Sequence, residues 1–178
     1  MKSPEFDQPP RPTIREATPE DAEPTRRMQA QSWLDTYPND ERGVPREWVE
    51  QRVAKWFTPE GLARTREIMA DPEQFYRVAE LNGQIVGFIS GWIRDDDQGE
   101  LAIYTEKSMH GTGLATDLMN QLDEFWRAKQ VKIVRLRVAD YNERAIKFYE
   151  KFGFAIVPGS EALLDEKIPN VKIERSLE

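Results

Sequence analysis

The sequence predicts a mixed α/β domain of the α+β type, and three observations support this class. The 178 residues are enough for one domain with a sizeable core. Apolar residues follow helical spacing through most of the first 74 residues, and β-rich segments begin at residue 75. From there the chain is predicted to form three strands, a helix, a strand, a helix and a last strand, an order typical of a mixed sheet with helices packed on it.

The first part of the chain is predicted to form a short strand and three helices. Residues 1–11 contain three of the twelve prolines and few apolar residues, so we expect a disordered tail. A strand opens "TIREATPEDAE", where Thr18 is a candidate N-cap and Pro19 occupies the first helical position. The other two helices are predicted in "PREWVEQRVAKWF" and "TPEGLARTREIMAD".

The second part begins with a predicted β-hairpin. Asn82-Gly83, the strongest short hairpin signal, joins "FYRVAEL" to "QIVGFISGWI". A turn rich in acids, Asp95–Asp97, leads to a third strand, "ELAIYTE", and a helix follows from residue 114. The segment "VKIVRLRVA" alternates as a strand does, and the next helix begins after a candidate N-cap, Asn142. We predict "NVKIERSLE" to be an edge strand.

Composition excludes several classes of function. A net charge of −7 argues against a nucleic-acid partner, because phosphate contacts need a surplus of Lys and Arg, and it mildly favours a cationic substrate. The absence of cysteine excludes disulfides, thiolate–metal sites and a cysteine nucleophile, and the single histidine excludes His-rich metal sites, so we predict no metal. No apolar run reaches the roughly 18 residues of a membrane helix and no signal peptide opens the chain, so we expect a cytoplasmic protein with no membrane contact.

The stretch "EKSMHGTGLATDL", residues 106–118, carries the first functional motif. Gly111 and Gly113 interrupt the passage from a predicted strand into a helix. The start of a helix offers unpaired N–H groups and a partial positive charge, which together bind anions, and glycine lets the backbone approach the anion closely. The stretch lacks the Gly-Lys-Ser/Thr of an NTP-binding loop and the third glycine of a dinucleotide-binding fingerprint.

This stretch resembles a signature of the GNAT superfamily of N-acetyltransferases, Gln/Arg-x-x-Gly-x-Gly/Ala, whose main-chain amides hold the pyrophosphate of acetyl-CoA. The corresponding residues, predicted to bind the cofactor, are His110, Gly111, Thr112, Gly113, Leu114 and Ala115. His110 departs from the Gln or Arg of the signature. An imidazole can donate a hydrogen bond to phosphate, and a loop histidine without a special role is the alternative.

A second stretch, "VADYNERAIKFYEKFGF", resembles the other signature of the superfamily, Asn-x-x-Ala-x-x-Phe-Tyr-x-x-x-Gly-Phe. It is filled here by Asn142, Ala145, Phe148, Tyr149, Gly153 and Phe154. The two motifs stand in the order that the superfamily has, with a predicted strand between them. The resemblance covers residues 75–157, with weaker agreement at "TIREATPEDA".

The resemblance implies the GNAT fold, a mostly antiparallel sheet of six to seven strands that is splayed between two strands and flanked by helices on both faces. It implies a single domain in 12–178, with acceptor-side helices in 12–74 and an acetyl-CoA-binding core in 75–157. The pantetheine arm would insert between the splayed strands. Main-chain groups of Ile103, Tyr104 and Thr105 would then lie beside the thioester, and one N–H would serve as oxyanion donor.

The resemblance also implies direct transfer of the acetyl group to an amine in a ternary complex. We predict that Tyr149 donates a proton to the departing thiolate, because a phenol pKa of about 10 lies near a thiol pKa of roughly 8.5; simple packing is the alternative. Asn142 is predicted to cap its helix and contact the cofactor, and Ala145 and Phe148 to shape the cofactor channel. Glu100 is predicted to act as general base or to position water, with solvent as the alternative base.

Acceptor specificity is predicted to lie in residues 19–75. The candidates are the aromatic residues Trp33, Tyr37, Trp48 and Trp56 and the acids Asp35 and Glu47. Trp33 and Tyr37 are the predicted substrate-binding residues, with an acid to suit an ammonium group, and packing on the sheet is the alternative for each tryptophan. We expect a small primary amine such as a polyamine or amino sugar and a monomer or homodimer. A protein N-terminus or lysine as acceptor and a non-catalytic acyl-CoA-binding module remain open alternatives.

Overall fold

The structure, a computed structural model, describes residues 10–94 and 97–177. Residues 1–9 of the predicted tail lie outside the described residues, as do Asp95 and Asp96 of the predicted acidic turn. The described residues form a mixed sheet with helices on both faces, which confirms the predicted fold class.

The sheet contains long strands from both parts of the chain. The strands are β1 (Thr13–Glu16), β2 (Phe75–Leu81), β3 (Gln84–Arg94), β4 (Gln98–Thr105), β5 (Ile133–Ala139), β6 (Ala155–Ile156), β7 (Ala162–Leu164) and β8 (Ile168–Ser176). Their order across the sheet is β1-β2-β3-β4-β5-β8-β6, and β7 also pairs with β8. Only the pairing of β4 with β5 is parallel among the described strand pairs.

The position of β8 differs from the prediction. This strand pairs with β5 along one side and with β6 and β7 on the other, so it is an interior strand and the predicted edge strand is wrong. Its buried side chains, which include Ile168 and Ile173, fit an interior position. The short strands β6 and β7 were not predicted, because two or three residues are too few to show a periodic pattern.

The five predicted helices are all present. They are α1 (Ala22–Thr36), α2 (Arg46–Ala54), α3 (Pro59–Ala70), α4 (Leu114–Ala128) and α5 (Glu143–Lys151). Thr18 precedes a 3₁₀ turn, Pro19–Asp21, so α1 itself begins later than predicted. Pro24 therefore falls in the first turn of α1, where its missing N–H is not needed. Within the described residues no helix is both long and apolar enough to span a bilayer.

Different helices cover the two faces of the sheet. On one face, α4 and α5 pack through a core that contains Leu122 and the fully buried Trp126. On the other face, α1 and α3 pack through residues such as Met28. Side chains alternate along β4, so Ile103 contacts the first core and Tyr104 contacts the clusters on the opposite face.

A buried ion pair joins α4 to β8. The side chains of Asp123 and Arg175 are only 7% and 8% exposed, and Arg175 also donates to the Phe152 carbonyl at 2.9 Å. Asp123→Asn would leave the buried guanidinium without its counter-charge. We expect the free energy of unfolding to fall by about 3–5 kcal/mol, as measured by urea denaturation.

An exposed pair on α1 provides the control for this prediction. Glu23 and Arg27 form an i,i+4 pair whose side chains are 43% and 72% exposed. Glu23→Gln should change the free energy of unfolding by less than about 1 kcal/mol, because solvent screens the charges. Equal effects of the two substitutions would show that the Asp123–Arg175 pair does not stabilise the fold as described.

Candidate active site

A cleft of about 1070 Å³ opens where β4 and β5 separate. The two strands pair only between Gln98–Glu100 and Ile133–Arg135. Beyond this point both strands continue without pairing to each other, and Leu101–Thr105 and Leu136–Val138 line the two sides of the cleft. The predicted splay between two strands is therefore confirmed.

The loop between β4 and α4 presents free main-chain amides to the cleft. Gly111 and Gly113 have φ values of 78° and 91°, a region that residues with a Cβ rarely adopt. Among the described residues, no hydrogen-bond partner is found for the amides of Gly111, Gly113, Ala115 or Thr116, and all four residues line the cleft. Four unpaired main-chain N–H donors therefore lie at the cleft, next to the positive end of the α4 dipole.

The space in front of the two glycines is open. A Cβ added to Gly111 or Gly113 would meet no atom within 4 Å, so a ligand has room to approach the backbone. Two residues of the predicted loop are not part of the cleft lining. Thr112 donates from its hydroxyl to the Met109 carbonyl at 2.7 Å, and the Leu114 side chain is buried in the core under α4. These two residues hold the loop in place on the side that faces away from the cleft.

One edge of β4 directs main-chain groups into the cleft. The Glu106 amide donates to the Val86 carbonyl of β3 at 2.8 Å. Because successive main-chain groups of a strand point to opposite sides, the N–H groups of Ile103 and Thr105 point away from β3, toward β5. The Ser32 hydroxyl of α1 donates to the Thr105 carbonyl at 3.0 Å and fixes the end of this edge.

The start and one face of α5 form the opposite wall of the cleft. Asn142, Ala145 and Phe148 all line it. The Asn142 side-chain oxygen accepts a hydrogen bond from the Ala145 amide at 3.2 Å, which confirms the predicted helix cap. The Phe148 ring packs on Tyr149 with centroids 5.4 Å apart. These contacts hold the motif residues of α5 in fixed positions beside the cleft.

Four tyrosines line the cleft, and they are Tyr37, Tyr104, Tyr141 and Tyr149. Tyr149 of α5 is 6% exposed, and burial raises its pKa well above the usual value, with a further increase from nearby Tyr104 of β4. Tyr37, directly after α1, also lines the cleft, and burial raises its pKa, with a further increase from nearby Tyr104. The phenols of Tyr149 and Tyr37 are therefore neutral acids near pH 7.

The raised pKa of Tyr149 leads to a prediction about the pH dependence of turnover. An acid with a raised pKa stays protonated at low and neutral pH and loses its proton only as the pH rises through the raised value. If Tyr149 supplies a proton, turnover should increase as the acceptor amine becomes neutral and should not fall because of Tyr149 below about pH 10. A pH–rate profile that falls below this pH in the wild type, but not in Tyr149→Phe, would contradict the assignment.

Cationic side chains line the cleft, and the sequence interpretation missed them. They are Arg137 of β5 and Arg144, Lys147 and Lys151 of α5, whereas Glu143 is the one carboxylate in the described lining. This concentration of positive charge is unexpected in a protein with a net charge of −7. The spacing of the three α5 residues (i, i+3, i+7) places them on one helix face and was the available signal.

His110 also lies at the cleft and contacts Arg144. Its Nε2 atom faces a guanidinium nitrogen of Arg144, and burial together with this charge lowers the His110 pKa below its usual value. The structure therefore brings the unusual residue of the glycine loop together with the first turn of α5.

Glu100 is not brought to the cleft. Its carboxylate accepts hydrogen bonds from Trp92 Nε1 at 3.0 Å and from Arg94 Nε at 2.8 Å. It lies on the paired part of β4, opposite Arg135, and not on the splayed part. Glu100 therefore forms an ion pair with Arg94 on the neighbouring strand and does not lie in the cleft, where a general base was predicted.

The predicted aromatic acceptor pocket is also not assembled as expected. Trp33 is only 6% exposed and packs against Tyr37 and Trp56, with ring centroids 4.7 and 5.0 Å away. Trp48 and Trp56 pack with it in the core between α1, α2 and the sheet. Of the two predicted substrate-binding residues, Tyr37 lines the cleft, whereas Trp33 does not and packs against the Tyr37 ring.

The chain belongs to the acetyltransferase (GNAT) family, whose family model matches residues 26–154. The match includes the glycine loop, the splayed strands and the α5 motif. The family expected from the two motifs is therefore confirmed.

Proteins from other organisms are similar to the chain in sequence, and one solved structure is similar to it in fold. The chain is 28% identical over 150 residues to an uncharacterized N-acetyltransferase from Methanocaldococcus jannaschii, which covers 80% of the chain and 60% of that protein. It is 37% identical over 98 residues to one from Mycobacterium bovis, covering 53% and 61%. The chain thus spans about 60% of the length of these curated relatives. The fold is similar to PaiA N-acetyltransferase from Thermoplasma acidophilum, crystallised with coenzyme A, with a TM-score of 0.73, 20% identity and coverage of 93% and 98%.

Proposed function

We propose that this protein is an acetyl-CoA-dependent N-acetyltransferase that moves the acetyl group to a small primary amine by direct attack in a ternary complex. The observation that carries the proposal is the set of four unpaired amides at the β4–α4 junction, which open into a cleft between parted strands. Such donors at a helix N-terminus suit a diphosphate, and the adjoining cations add charge of the required sign.

Coenzyme A fits the chemistry of the cleft residues. The amides of Gly111, Gly113 and Ala115 would hold the diphosphate. The pantetheine arm carries amide groups of its own, and the free edge of β4 at Ile103 and Thr105 would pair with them as with an added strand. Asn142, Ala145 and Phe148 would border the arm on the α5 side. The PaiA structure with coenzyme A supports this choice of ligand.

The chain's own residues would supply three effects on the reaction. The bound thioester would supply an activated acetyl group. A main-chain N–H of Ile103 or Thr105 would stabilise the charge that develops on the carbonyl oxygen. Tyr149 would donate a proton to the departing thiolate, and the burial that raises its pKa also disfavours a bare thiolate beside it. Because Glu100 lies outside the cleft, we assign removal of the amine proton to solvent.

A smaller cavity on the α1 side of the cleft supports a small acceptor. Its volume is about 280 Å³, and it shares Ser32, Thr36 and Tyr141 with the cleft. The described lining of this cavity holds one carboxylate, Asp35, which would face the ammonium group, and Lys107, His110 and Arg144 at the end nearer the glycine loop. Glu47 accepts a hydrogen bond from Gln51 on the exposed face of α2. The volume is near the lower limit for a small-molecule pocket, which favours a compact amine.

Thiol release from acetyl-CoA, followed against a panel of small amines and peptides, tests the proposal. We expect turnover with one or more small primary amines and a requirement for the neutral amine. Turnover with peptides alone would indicate that the acceptor is a protein N-terminus or lysine and not a small amine. Binding of acetyl-CoA without turnover on any acceptor would favour a non-catalytic binding module.

A further inference from the structure

The contact between His110 and Arg144 fixes the tautomer of the histidine. A guanidinium has only donors, so the Nε2 atom that faces Arg144 must present its lone pair. A neutral imidazole with its lone pair on Nε2 carries its proton on Nδ1. The imidazole is therefore neutral, and it accepts a hydrogen bond from Arg144 across the mouth of the cleft.

The charges around His110 oppose its protonation in the ligand-free protein. Arg144 from α5 and Lys107 from the preceding 3₁₀ turn face the ring, and Asp35 from α1 is the carboxylate that faces it. Together with burial, the two cations outweigh the carboxylate and lower the pKa of His110. Arg144 has no ion pair with any carboxylate of the described residues, and a neutral imidazole is a weaker acceptor for it than phosphate.

On the basis of the proposed function, we propose that the diphosphate of coenzyme A draws Arg144 away from His110 and that His110 takes up a proton as the coenzyme binds. The freed Nε2 atom would then carry a hydrogen and donate to the same phosphates. The two side chains line the cleft on either side of the mouth, with His110 immediately before the free Gly111 amide. A diphosphate between the two side chains would place negative charge next to the His110 ring, where Arg144 now places positive charge. Negative charge favours the protonated ring.

The proposal determines how coenzyme affinity depends on pH. The pKa of His110 lies below its usual value in the free protein and rises when the diphosphate is present. Protons are taken up between these two pKa values, so affinity should increase as the pH falls through this window, by up to about tenfold per pH unit. Above the pKa of the complex, His110 is neutral in both states and the dependence disappears.

Calorimetry with dephospho-coenzyme A measures this proton uptake directly. This ligand keeps the diphosphate but lacks the 3′-phosphate, whose ionisation near pH 6 would add its own protons. Titrations at pH 6.5 in two buffers with different ionisation enthalpies give the number of protons bound per ligand. We expect about 0.5–1 proton for the wild type and close to zero for His110→Gln, which keeps a donor but does not titrate.

A second pair of variants tests the movement of Arg144. Arg144→Gln should weaken binding of dephospho-coenzyme A by about 10- to 100-fold, because a charged phosphate contact is lost. Arg127→Gln removes the same charge from α4 outside the cleft lining and should bind like the wild type. Equal proton numbers for the wild type and His110→Gln, or equal affinities for the two arginine variants, would overturn this inference and leave the proposed function standing. Failure of the wild type to bind either coenzyme would instead overturn the proposed function.

Discussion

Gly113→Val is expected to abolish coenzyme A binding while the protein remains folded. At φ of 91°, the new side chain projects into the open space in front of the unpaired amides, where the diphosphate would lie. The loss of several charge-assisted contacts at once should weaken binding by about 100-fold or more. Calorimetric titration with coenzyme A measures the loss, and circular dichroism reports whether the fold survives.

Gly83→Val separates the steric effect from backbone strain. Gly83 has φ of 78° in the β2–β3 turn, no atom lies within 4 Å of its added Cβ, and it does not line the cleft. Both substitutions should therefore lower stability by a similar 1–2 kcal/mol, approximately the cost of the left-handed conformation. Coenzyme affinity should fall only in Gly113→Val. Unchanged affinity in that variant would remove the glycine loop from the binding site.

Tyr149→Phe is expected to produce the largest loss of turnover. The substitution removes one hydroxyl and keeps the ring contacts with Phe148 and Phe154. A proton donor acts on the transition state, so kcat should fall by about 100-fold or more. The Kd for acetyl-CoA should change by less than about threefold, because the ground-state contacts remain.

Tyr76→Phe is the matched control for the loss of a buried hydroxyl. Tyr76 is also 6% exposed and burial also raises its pKa, but it packs under α1 and α3 outside the cleft lining. Its variant should keep the turnover of the wild type. A similar loss in both variants would indicate a general effect of buried hydroxyls on the fold, and an unchanged kcat in Tyr149→Phe would exclude Tyr149 as the donor.

Features that depend on neighbouring residues could be predicted from the sequence. Asn82-Gly83 forms the expected turn, with positive φ at both residues and Leu81 paired to Gln84. Asn142 caps α5 because its side chain needs only the amide three residues ahead. The positive φ of Gly111 and Gly113 follows from the same local rules. The core of the candidate site is built from these short-range features.

Features that depend on distant partners could not be predicted in the same way. Trp33 lies in α1 and Tyr37 directly follows it, and only the packing of α2 against α1 decides that one is buried and the other lines the cleft. Glu100 pairs with Arg94, only six residues away, because the register of β3 and β4 places them diagonally across the two strands, and that register is not visible in a periodic pattern. His110 and Arg144 are 34 residues apart, and they meet because the fold brings the loop after β4 next to the first turn of α5 at the cleft. Sequence periodicity contains no information on such long-range neighbours.

A crystal structure of the complex with coenzyme A would show whether the glycine loop holds the diphosphate. We expect hydrogen bonds from the main-chain amides of Gly111, Gly113 and Ala115 to the diphosphate, with the pantetheine arm between β4 and β5. A complex in which the diphosphate binds elsewhere, and these amides contact only solvent, would contradict this expectation.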